Sequence, residues 1–379
     1  MITRIDIEYF KCFELLKLPL SSLTLLSGSN ASGKSSVLQT LVLLHQTMRE
    51  YEWSTRLMLN GTAIRLGTVS DVIDQVHGRH MFKLSIIDNE ITYHWEFTGE
   101  RDEMSISTDR VSVGEKTVKE PKALRYLLPT SEEKITSSLT NRLRRLTYIT
   151  AERLGPREVY TMDDPQDATI VGSNGEHAVS LLYSGRDESV LDKLTLPEIS
   201  PTRLRQTSER MRTFFPGCSL DIKQVPHTNV VTLGVRTSDS TEFLRPIHAG
   251  FGITQILPIV VATLSAAEGD IILIENPEVH LHPAGQALMG QYLADVARAG
   301  IQVIVESHSD HILNGIRRSV KASRLNAEEV TIHFFKPRNL EEPQVVSPQL
   351  DKSGNIDTWP EGFFDQFDKD MNYFVGWDN

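Results

Sequence analysis

The sequence is poor in cysteine and has no long apolar run, and each absence excludes a class of protein. Among 379 residues there are two cysteines, Cys12 and Cys218, too few for a disulfide-stapled scaffold or a cysteine-rich zinc site. The longest apolar stretch, 253–264, is interrupted by polar residues and a proline and is too short to span a bilayer. Asp6 lies where a signal peptide needs apolar residues. We therefore expect a soluble, cytoplasmic protein without a membrane partner.

Basic residues are outnumbered by acidic ones, 39 against 50, which gives a net charge of −11. A chain this acidic has no overall attraction for nucleic acid, so contact with DNA or RNA would need a local patch or a partner. Three basic stretches are available, and for each a solvated helix face is the favoured interpretation. They are Arg142, Arg144 and Arg145; Arg203, Arg205, Arg210 and Arg212; and Arg317, Arg318, Lys321 and Arg324.

The order of apolar patterns predicts an α/β fold. Runs at 2–9 and 22–26 predict strands, and the apolar spacing at 34–48 predicts a helix. A β-rich stretch follows at 81–113. After residue 240, short apolar runs alternate with helical patterns, which is typical of a parallel sheet. We expect a mixed sheet flanked by helices, with β and helical elements inserted in the middle of the chain.

Residues 28–35 match the phosphate-loop pattern G-x-x-x-x-G-K-[ST], with an apolar strand before it and an amphipathic helix after it. The glycines let main-chain N–H groups face phosphates, and the helix N-terminus adds positive potential. Lys34 is expected to reach the β and γ phosphates of ATP, and Ser35 to offer its hydroxyl to Mg²⁺. The predicted ATP-binding residues are Gly28, Ser29, Asn30, Ala31, Ser32, Gly33, Lys34, Ser35 and Ser36.

An apolar strand at 271–274 runs directly into Glu275. Sheets of this class bind ligands at the carboxyl ends of their strands, so Glu275 is expected to hold Mg²⁺ through water. His280 and His282 follow, but no third histidine or cysteine lies at metal-ligand spacing. For these two histidines a structural or inter-subunit contact is favoured over a metal site.

Two further features belong to the same half of the chain. A second buried run, 301–305, leads to His308, which would lie at the same sheet edge and could bond a γ-phosphate or the attacking water. A glycine-rich turn, 248–255, opens an apolar helix, and its Gly250 and Gly252 form a second possible phosphate binder.

The order of these motifs resembles the ABC-type ATPases of the SMC and RecF kind, and most of all the stand-alone AAA-type ATPases related to the overcoming-lysogenization-defect group. Residues 275–283 match the E-[EN]-P-E-x-H-L-H-P of those families, and 305–309 match their V-E-[ST]-H-S. The opening, 5–13, looks like their N-F-K-[SC]-F start, and 355–364 is similar to the end of one small branch. The stretch 81–240 is much less diagnostic.

The resemblance implies a head-to-tail homodimer or higher homo-oligomer, in which ATP lies between the phosphate loop of one subunit and the glycine signature of another. Gly250 and Gly252, together with His248, would then touch the γ-phosphate in trans. The nucleotide-sensing glutamine of ABC proteins is not identifiable, and Gln39 and Gln75 are the candidates.

The same resemblance divides the chain into four segments. Residues 1–80 would be the N-terminal part of the ATPase head, and 241–336 the C-terminal part, with the signature, the carboxylate strand and the switch histidine. Residues 81–240 would be an insert, for which the lack of heptads favours β and helical structure over a coiled coil. The tail, 337–379, is expected to be irregular. The insert residues that are structural or site candidates without an assigned role are Glu152 and Arg153.

One departure from the ABC pattern concerns the position after the Mg²⁺ carboxylate, which usually holds the catalytic glutamate. Here it is Asn276, and an amide cannot accept a proton from water at neutral pH. Either Glu278 or His308 polarises the water, or hydrolysis is slow and the protein acts as an ATP-dependent clamp.

The favoured function is an ATP-hydrolysing ATPase that dimerises on ATP and regulates a partner effector, such as a nuclease acting on nucleic acid, in anti-phage defence or DNA repair. Relatives often carry a C-terminal Toprim nuclease, and the stretch after His308 is expected to be too short for one. One alternative is a metal-dependent nuclease using Asp351, Asp357 and Asp365, whose spacing matches no known site. Another is a transporter ATPase subunit, although the signature is not Leu-Ser-Gly-Gly-Gln.

Overall fold

The computed structural model describes residues 1–74, 79–162, 170–338 and 343–375. Within them the helices are α1 (Lys34–Glu50), α2 (Val69–Val72), α3 (Glu133–Arg145), α4 (Ala178–Ser184), α5 (Arg203–Phe214), α6 (Phe251–Ser265), α7 (Pro283–Arg298), α8 (Asp310–Lys321) and α9 (Gln366–Val375). The strands are β1 (Ile2–Phe10), β2 (Phe13–Pro19), β3 (Leu23–Gly28), β4 (Arg56–Met58), β5 (Met81–Asp88), β6 (Ile91–Thr98), β7 (Ser105–Val113), β8 (Lys116–Lys119), β9 (Thr147–Ile149), β10 (Tyr160–Thr161), β11 (Ser219–Gln224), β12 (Val230–Arg236), β13 (Ile271–Glu275), β14 (Gln302–Glu306), β15 (Val330–Phe335) and β16 (Val345–Val346).

A six-stranded sheet carries the phosphate loop. Its order is β16-β15-β3-β14-β13-β9, and the strands from β15 to β9 are parallel. Its central strands are continuous apolar runs because helices cover both faces. In β13, Ile272 and Ile274 point into one core, and Ile271 and Leu273 into the other, as the two-residue period of a strand requires. The predicted class, a mixed sheet flanked by helices, is confirmed.

A second, antiparallel sheet has the order β2-β1-β5-β6-β7-β4, with β8 paired to β7. Strand β1 pairs directly with β5, so the segment boundary predicted at residue 80 falls inside one sheet. Its apolar face shares a core with α1, in which Leu41 and Trp95 are fully buried. The first half of the predicted insert is therefore packed into the N-terminal part of the head.

The rest of the predicted insert covers the other face of the parallel sheet. Helices α4 and α5 and the small sheet β10-β12-β11 share a core with α6, α7 and α8. No helix of the described ranges between 81 and 240 exceeds the 13 residues of α3. None of the helices described anywhere in the chain is long and apolar enough to cross a membrane.

Strand β2 and the tail differ from the sequence expectation. Strand β2 was not predicted because its pattern is irregular: Leu15 is 57% exposed and interrupts the alternation. The tail, predicted to be irregular, contains the short strand β16 and the helix α9. It is anchored by Phe363, which is fully buried against the ring of Phe334.

Candidate nucleotide site

The phosphate loop lies between the end of β3 and the start of α1, as its pattern predicts. Gly28 has φ 133°, and any Cβ there would collide with the main chain of Phe335 on the next strand. Gly33 has φ 101°, and a Cβ there would lie 2.5 Å from Cys12 Sγ. Both glycines are therefore required by the backbone and by close approach. No side chain caps the N-terminus of α1, so its first N–H groups remain available to an anion.

Lys34 and Ser35, the first residues of α1, meet at one buried carboxylate. The Lys34 ammonium donates to the carbonyls of Gly28 and Ser29, at 3.1 and 2.7 Å, and lies 3.8 Å from Glu306 Oε1. The Ser35 hydroxyl donates to Glu306 Oε2 at 2.8 Å. Burial lowers the pKa of Lys34, although the neighbouring Glu306 opposes that shift. The predicted phosphate lysine and Mg²⁺ serine are thus brought together.

Glu306 is the site residue that sequence analysis missed. It ends β14, the strand between the phosphate-loop strand β3 and the carboxylate strand β13, and is 5% exposed. Burial raises its pKa to about 7, and the Ser35 bond opposes this shift. The available signal was an acid ending an otherwise apolar run, the same signal that identified Glu275.

Glu275 lies beside Glu306 in register, at the end of β13. Its hydrogen bonds come from the β9 side: Tyr148 donates its hydroxyl to Oε1 at 2.7 Å, and the Ala151 N–H donates to Oε2 at 3.2 Å. Burial raises the pKa of Tyr148, and the Glu275 carboxylate adds to the shift, so the phenol stays a donor. The two acids thus face one edge of the sheet with different partners, and Ser35 bonds Glu306 rather than Glu275.

Glu278 ties the turn after β13 to the end of β14. Its Oε2 accepts from the Ser307 hydroxyl at 2.9 Å, and its Oε1 accepts from the His308 N–H at 2.9 Å and the Asn276 amide at 3.4 Å. Burial, followed by the charge of Lys34, lowers the pKa of His308, so its imidazole is neutral at neutral pH. The three predicted catalytic-position residues, Asn276, Glu278 and His308, are therefore neighbours.

Asn276 adopts φ 45°, in the left-handed region, and its N–H donates to the Glu306 carbonyl at 2.8 Å. Asparagine is one of the few residues that adopt this conformation readily, whereas a long acidic side chain is strained there. The backbone of this turn therefore gives a physical reason for asparagine where ABC enzymes usually have glutamate.

An open cavity of about 420 Å³ lies over the phosphate loop, within the usual size of a small-molecule site. It is lined by Lys11, Cys12, Asn30, Ala31, Ser32, Gly33, Lys34, Ser35, Ser36, Glu306 and His308. The candidate sensor Gln39 contacts this wall, since it accepts a 2.6 Å bond from Lys11 Nζ. Gln75 lies outside the described residues.

The signature turn, residues 248–255, is not part of that cavity's lining. Gly250 has φ 89°, with open space where a Cβ would lie, so its main chain is accessible. A Cβ on Gly252 would lie 3.0 Å from the His280 carbonyl oxygen of the same subunit. Exposed apolar side chains that lie together mark interaction surfaces, and four in or near this turn are more than 40% exposed. They are Phe243, Leu244, Ile247 and Phe251.

Among the described residues, five of the eleven basic side chains in these stretches form ion pairs. Those five charges are compensated, which lowers the free positive charge of a nucleic-acid patch. The pairs are Arg142 with Asp88, Arg145 with Asp270, Arg203 with Glu188, Arg212 with Asp239, and Arg324 with Asp295.

The aspartates of the tail bond main-chain N–H groups of their own turns: Asp351 accepts from Ser353 and Asp357 from Gln349. Nowhere in the described ranges do three histidine, cysteine or acidic side chains gather as a metal site. His282 Nδ1 accepts from the N-terminal amide of α7, and the His280 ring packs on Phe251.

Comparisons with known proteins show which families the sequence matches. Residues 23–314 match the family described as "AAA domain, putative AbiEii toxin, Type IV TA system", and residues 325–373 match a protein family of unknown function, DUF3696. No curated protein matches the chain.

Among solved structures, the chain resembles an SMC head bound to the C-terminal winged-helix domain of ScpA. The identity is 15% and the TM-score 0.55, with 93% of this chain and 98% of that chain covered. It also resembles the SMC head with an extended coiled coil, bound to the C-terminal domain of ScpA from Pyrococcus furiosus. There the identity is 12% and the TM-score 0.56, with 100% of this chain and 99% of that chain covered. At such identities the likeness concerns the fold, which is that of SMC heads. Because its family match spans most of the sequence, the chain belongs to the AAA domain family described for residues 23–314.

Proposed function

We propose that the protein binds ATP with Mg²⁺ at the phosphate loop and hydrolyses it slowly. The observation that carries this proposal is the convergence of Lys34 and Ser35 on the buried Glu306, beside a cavity open at the N-terminus of α1. Burying a lysine and a glutamate together is costly, so such a pair is a strong pointer to function.

The residues present fit a magnesium ion. Mg²⁺ prefers oxygen ligands, usually one or two carboxylates or hydroxyls with water and phosphate completing its shell. Ser35 supplies a hydroxyl, and Glu306 and Glu275 end neighbouring strands at the same level. When bound, the ion would neutralise charge on the phosphate oxygens. Ser35, Glu306 and Glu275 would hold the ion.

In this proposal the site has no strong general base for the attacking water. Asn276 cannot act as a base, and both oxygens of Glu278 already accept hydrogen bonds. His308 lines the cavity and is neutral, so its imidazole is the group best able to orient or polarise water. Slow hydrolysis would suit a protein in which the ATP-bound state, rather than the rate of hydrolysis, signals to the effector.

ATP-dependent head-to-tail pairing would then switch a partner effector, such as a nuclease, in anti-phage defence or DNA repair. The accessible Gly250 and the apolar surface around it support a partner-facing signature. Since the net charge is −11 and five of the eleven basic side chains in the basic stretches are ion-paired, the effector rather than this chain would contact nucleic acid. Co-purification of a tagged chain with its effector, with and without ATP, tests this part.

The nucleotide proposal is tested with Lys34→Ala, which removes the ammonium facing the phosphates. Binding of a fluorescent ATP analogue should fall at least 10-fold, since a charged hydrogen bond contributes about 1.5–3 kcal/mol. Lys17→Ala, at an exposed position of β2, is the matched control and should bind normally. Equal affinity of the two variants would overturn the assignment.

A further inference from the structure

Arg153 is a buried cation whose role neither the motif order nor the family match assigns. It lies in the segment after β9 and is 6% exposed. One guanidinium nitrogen, Nη1, donates to the carbonyls of Thr150 and Glu275, at 3.1 and 2.9 Å, and Nη2 donates to the Asn276 carbonyl at 2.7 Å. We define residues 275–282, which follow the apolar part of β13, as the carboxylate turn. The Arg153 guanidinium therefore holds the main chain at the start of this turn.

No carboxylate of the described residues forms an ion pair with this guanidinium. Main-chain carbonyls compensate it at short range, and the charges of Glu278 and Glu275 act at longer range. Burial lowers its pKa to about 10, which leaves it charged at neutral pH. Its Nε is buried without a hydrogen-bond partner among the described residues. The planar fork fixes three carbonyls at once, which a lysine could not do with the same geometry.

The main chain of Arg153 is itself held by the signature helix. Gln255, in the second turn of α6 and 2% exposed, donates its amide to the carbonyls of Arg153 and Leu154, at 3.1 and 3.2 Å. Beside it, Phe251 of α6 packs on His280 of the carboxylate turn, with ring centroids 4.9 Å apart. The start of α6 is thus tied to the carboxylate turn at two places.

The carboxylate turn continues into the nucleotide cavity. The Asn276 N–H donates to the carbonyl of Glu306, whose side chain accepts from Ser35. Glu278 accepts from Ser307 and from the N–H of His308, which lines the cavity. A shift of α6 by a few tenths of an ångström would therefore be passed through Arg153 to the residues around the nucleotide.

We infer that Arg153 is a positioning residue that connects the signature helix of a subunit with the carboxylate turn of the nucleotide site in the same subunit. The inference rests on the proposed function, in which the signature contacts the partner's nucleotide. Arg153 would then report occupancy of the partner's site to the subunit's own site, and so couple the two sites of a dimer.

Amide hydrogen exchange in the nucleotide-free protein tests the connection without any ATPase activity. Gln255→Leu removes both amide bonds to segment 153–154, and neither of the hydrogen bonds described for Gln255 reaches the carboxylate turn. We expect it to raise exchange of the amides in 276–282 about 5-fold, since a hydrogen bond is worth about 1 kcal/mol. Arg153→Gln should raise the same amides more, while exchange in β5 and β6 stays unchanged. Arg157→Gln, an exposed arginine of the same segment, is the control.

A second readout separates positioning from general stability. We expect Gln255→Leu to leave the Kd for the ATP analogue within 3-fold, to lower turnover at least 5-fold, and to abolish any cooperativity in ATP. Unchanged exchange in 276–282 with Gln255→Leu would overturn the inference, as would an equal rise over the whole chain. If the wild type does not bind ATP, the proposed function fails, and the exchange result still decides whether the connection exists. If Arg153→Gln does not fold, Gln255→Leu alone decides.

Discussion

The Glu306 carboxylate is buried, and burying a charged carboxylate costs free energy. At 5% exposure its charge has lost most of its hydration, and among the described residues Ser35 and Lys34 compensate it at close range. Sequence analysis could find the phosphate loop because every fixed position and its strand–helix context are local. It could not choose between Glu275 and Glu306, because that choice depends on strand order and on which carboxylate meets Ser35, and both are set by tertiary packing.

Replacing each glutamate by glutamine tests which of the two carboxylates binds the Mg²⁺ ion. Glu306→Gln keeps an acceptor for Ser35 but removes the charge, so ATP-analogue binding without Mg²⁺ should be retained and its enhancement by Mg²⁺ should fall at least 10-fold. Titrations with Mg²⁺ and Mn²⁺ at fixed analogue concentration measure this. Glu278→Gln, with neither Ser35 nor Lys34 as a partner, should keep the enhancement. If Glu275→Gln alone abolishes it, Glu275 is the principal ligand, as the motif implies.

The backbone conformation at Asn276 disfavours the glutamate that ABC enzymes usually have at this position. At φ 45°, replacing asparagine by glutamate is expected to cost up to about 1–2 kcal/mol, because glutamate lacks the short polar side chain that lets asparagine adopt the left-handed region. Asn276→Glu should therefore lower the free energy of unfolding, and turnover should rise less than motif restoration alone implies. Denaturant unfolding and single-turnover hydrolysis measure the two effects.

Two variants complete this test. Asn276→Gly relieves the backbone and should unfold at the wild-type denaturant concentration or close to it. Glu278→Gln tests whether Glu278 is the general base or only positions the turn by its hydrogen bonds. Removal of a general base costs about 10²–10⁴ in the rate of hydrolysis and leaves ATP binding intact. A loss of that size without loss of stability would make Glu278 the base and would contradict the positioning role that its three hydrogen bonds favour.

At the scale of elements, what could be predicted follows from how each element is buried. The strands β3, β13 and β14 and the helix α1 have sharp patterns because they lie in the core, between two apolar layers. The pairing of β1 with β5 could not be predicted, since it joins distant segments and leaves no local signal. The contacts of Arg153 were equally hidden, because a fork that binds main-chain carbonyls selects no residue type at the partner positions.

Buried histidines tie several elements together and predict acid sensitivity. His333 of β15 bonds the Pro19 carbonyl through Nε2 at 2.8 Å and Ser347 through Nδ1 at 2.7 Å, so the neutral ring satisfies both partners. Burial lowers its pKa to about 4, and likewise that of His45 in α1. The unfolded chain therefore binds more protons than the folded one between pH 6.5 and 4, and the free energy of unfolding should fall as the pH falls through that window.

Denaturant unfolding at several pH values measures this slope. His333→Gln should lower stability at pH 7, because two hydrogen bonds are lost, but it should flatten the slope between pH 6.5 and 4. His227→Gln, an exposed position, should leave both unchanged. An unaltered slope in the first variant would mean that other groups control acid unfolding.

At the scale of the whole molecule, the net charge opposes the pairing of two copies. The net charge is −11, and many of the arginines of the basic stretches are paired internally. An acidic molecule of this kind repels a second copy at long range, so close pairing needs a local apolar contact and a ligand that contributes binding energy. The apolar surface around the signature turn offers the first, and ATP would provide the second.

Substitution within that surface tests the pairing. Ile247 is 46% exposed beside the signature turn, so Ile247→Asp should leave the fold intact but place a charge in the proposed interface. Sedimentation with a non-hydrolysable ATP analogue should show dimers of the wild type and at least 10-fold weaker association of the variant. Leu15→Asp, at an apolar position on the antiparallel sheet that is 57% exposed, should pair normally. Gly252→Asp is a poorer probe, because its Cβ would press on the His280 carbonyl within the same subunit. If wild type and Ile247→Asp associate equally, this surface does not face a second copy, and an effector bound there becomes the better account.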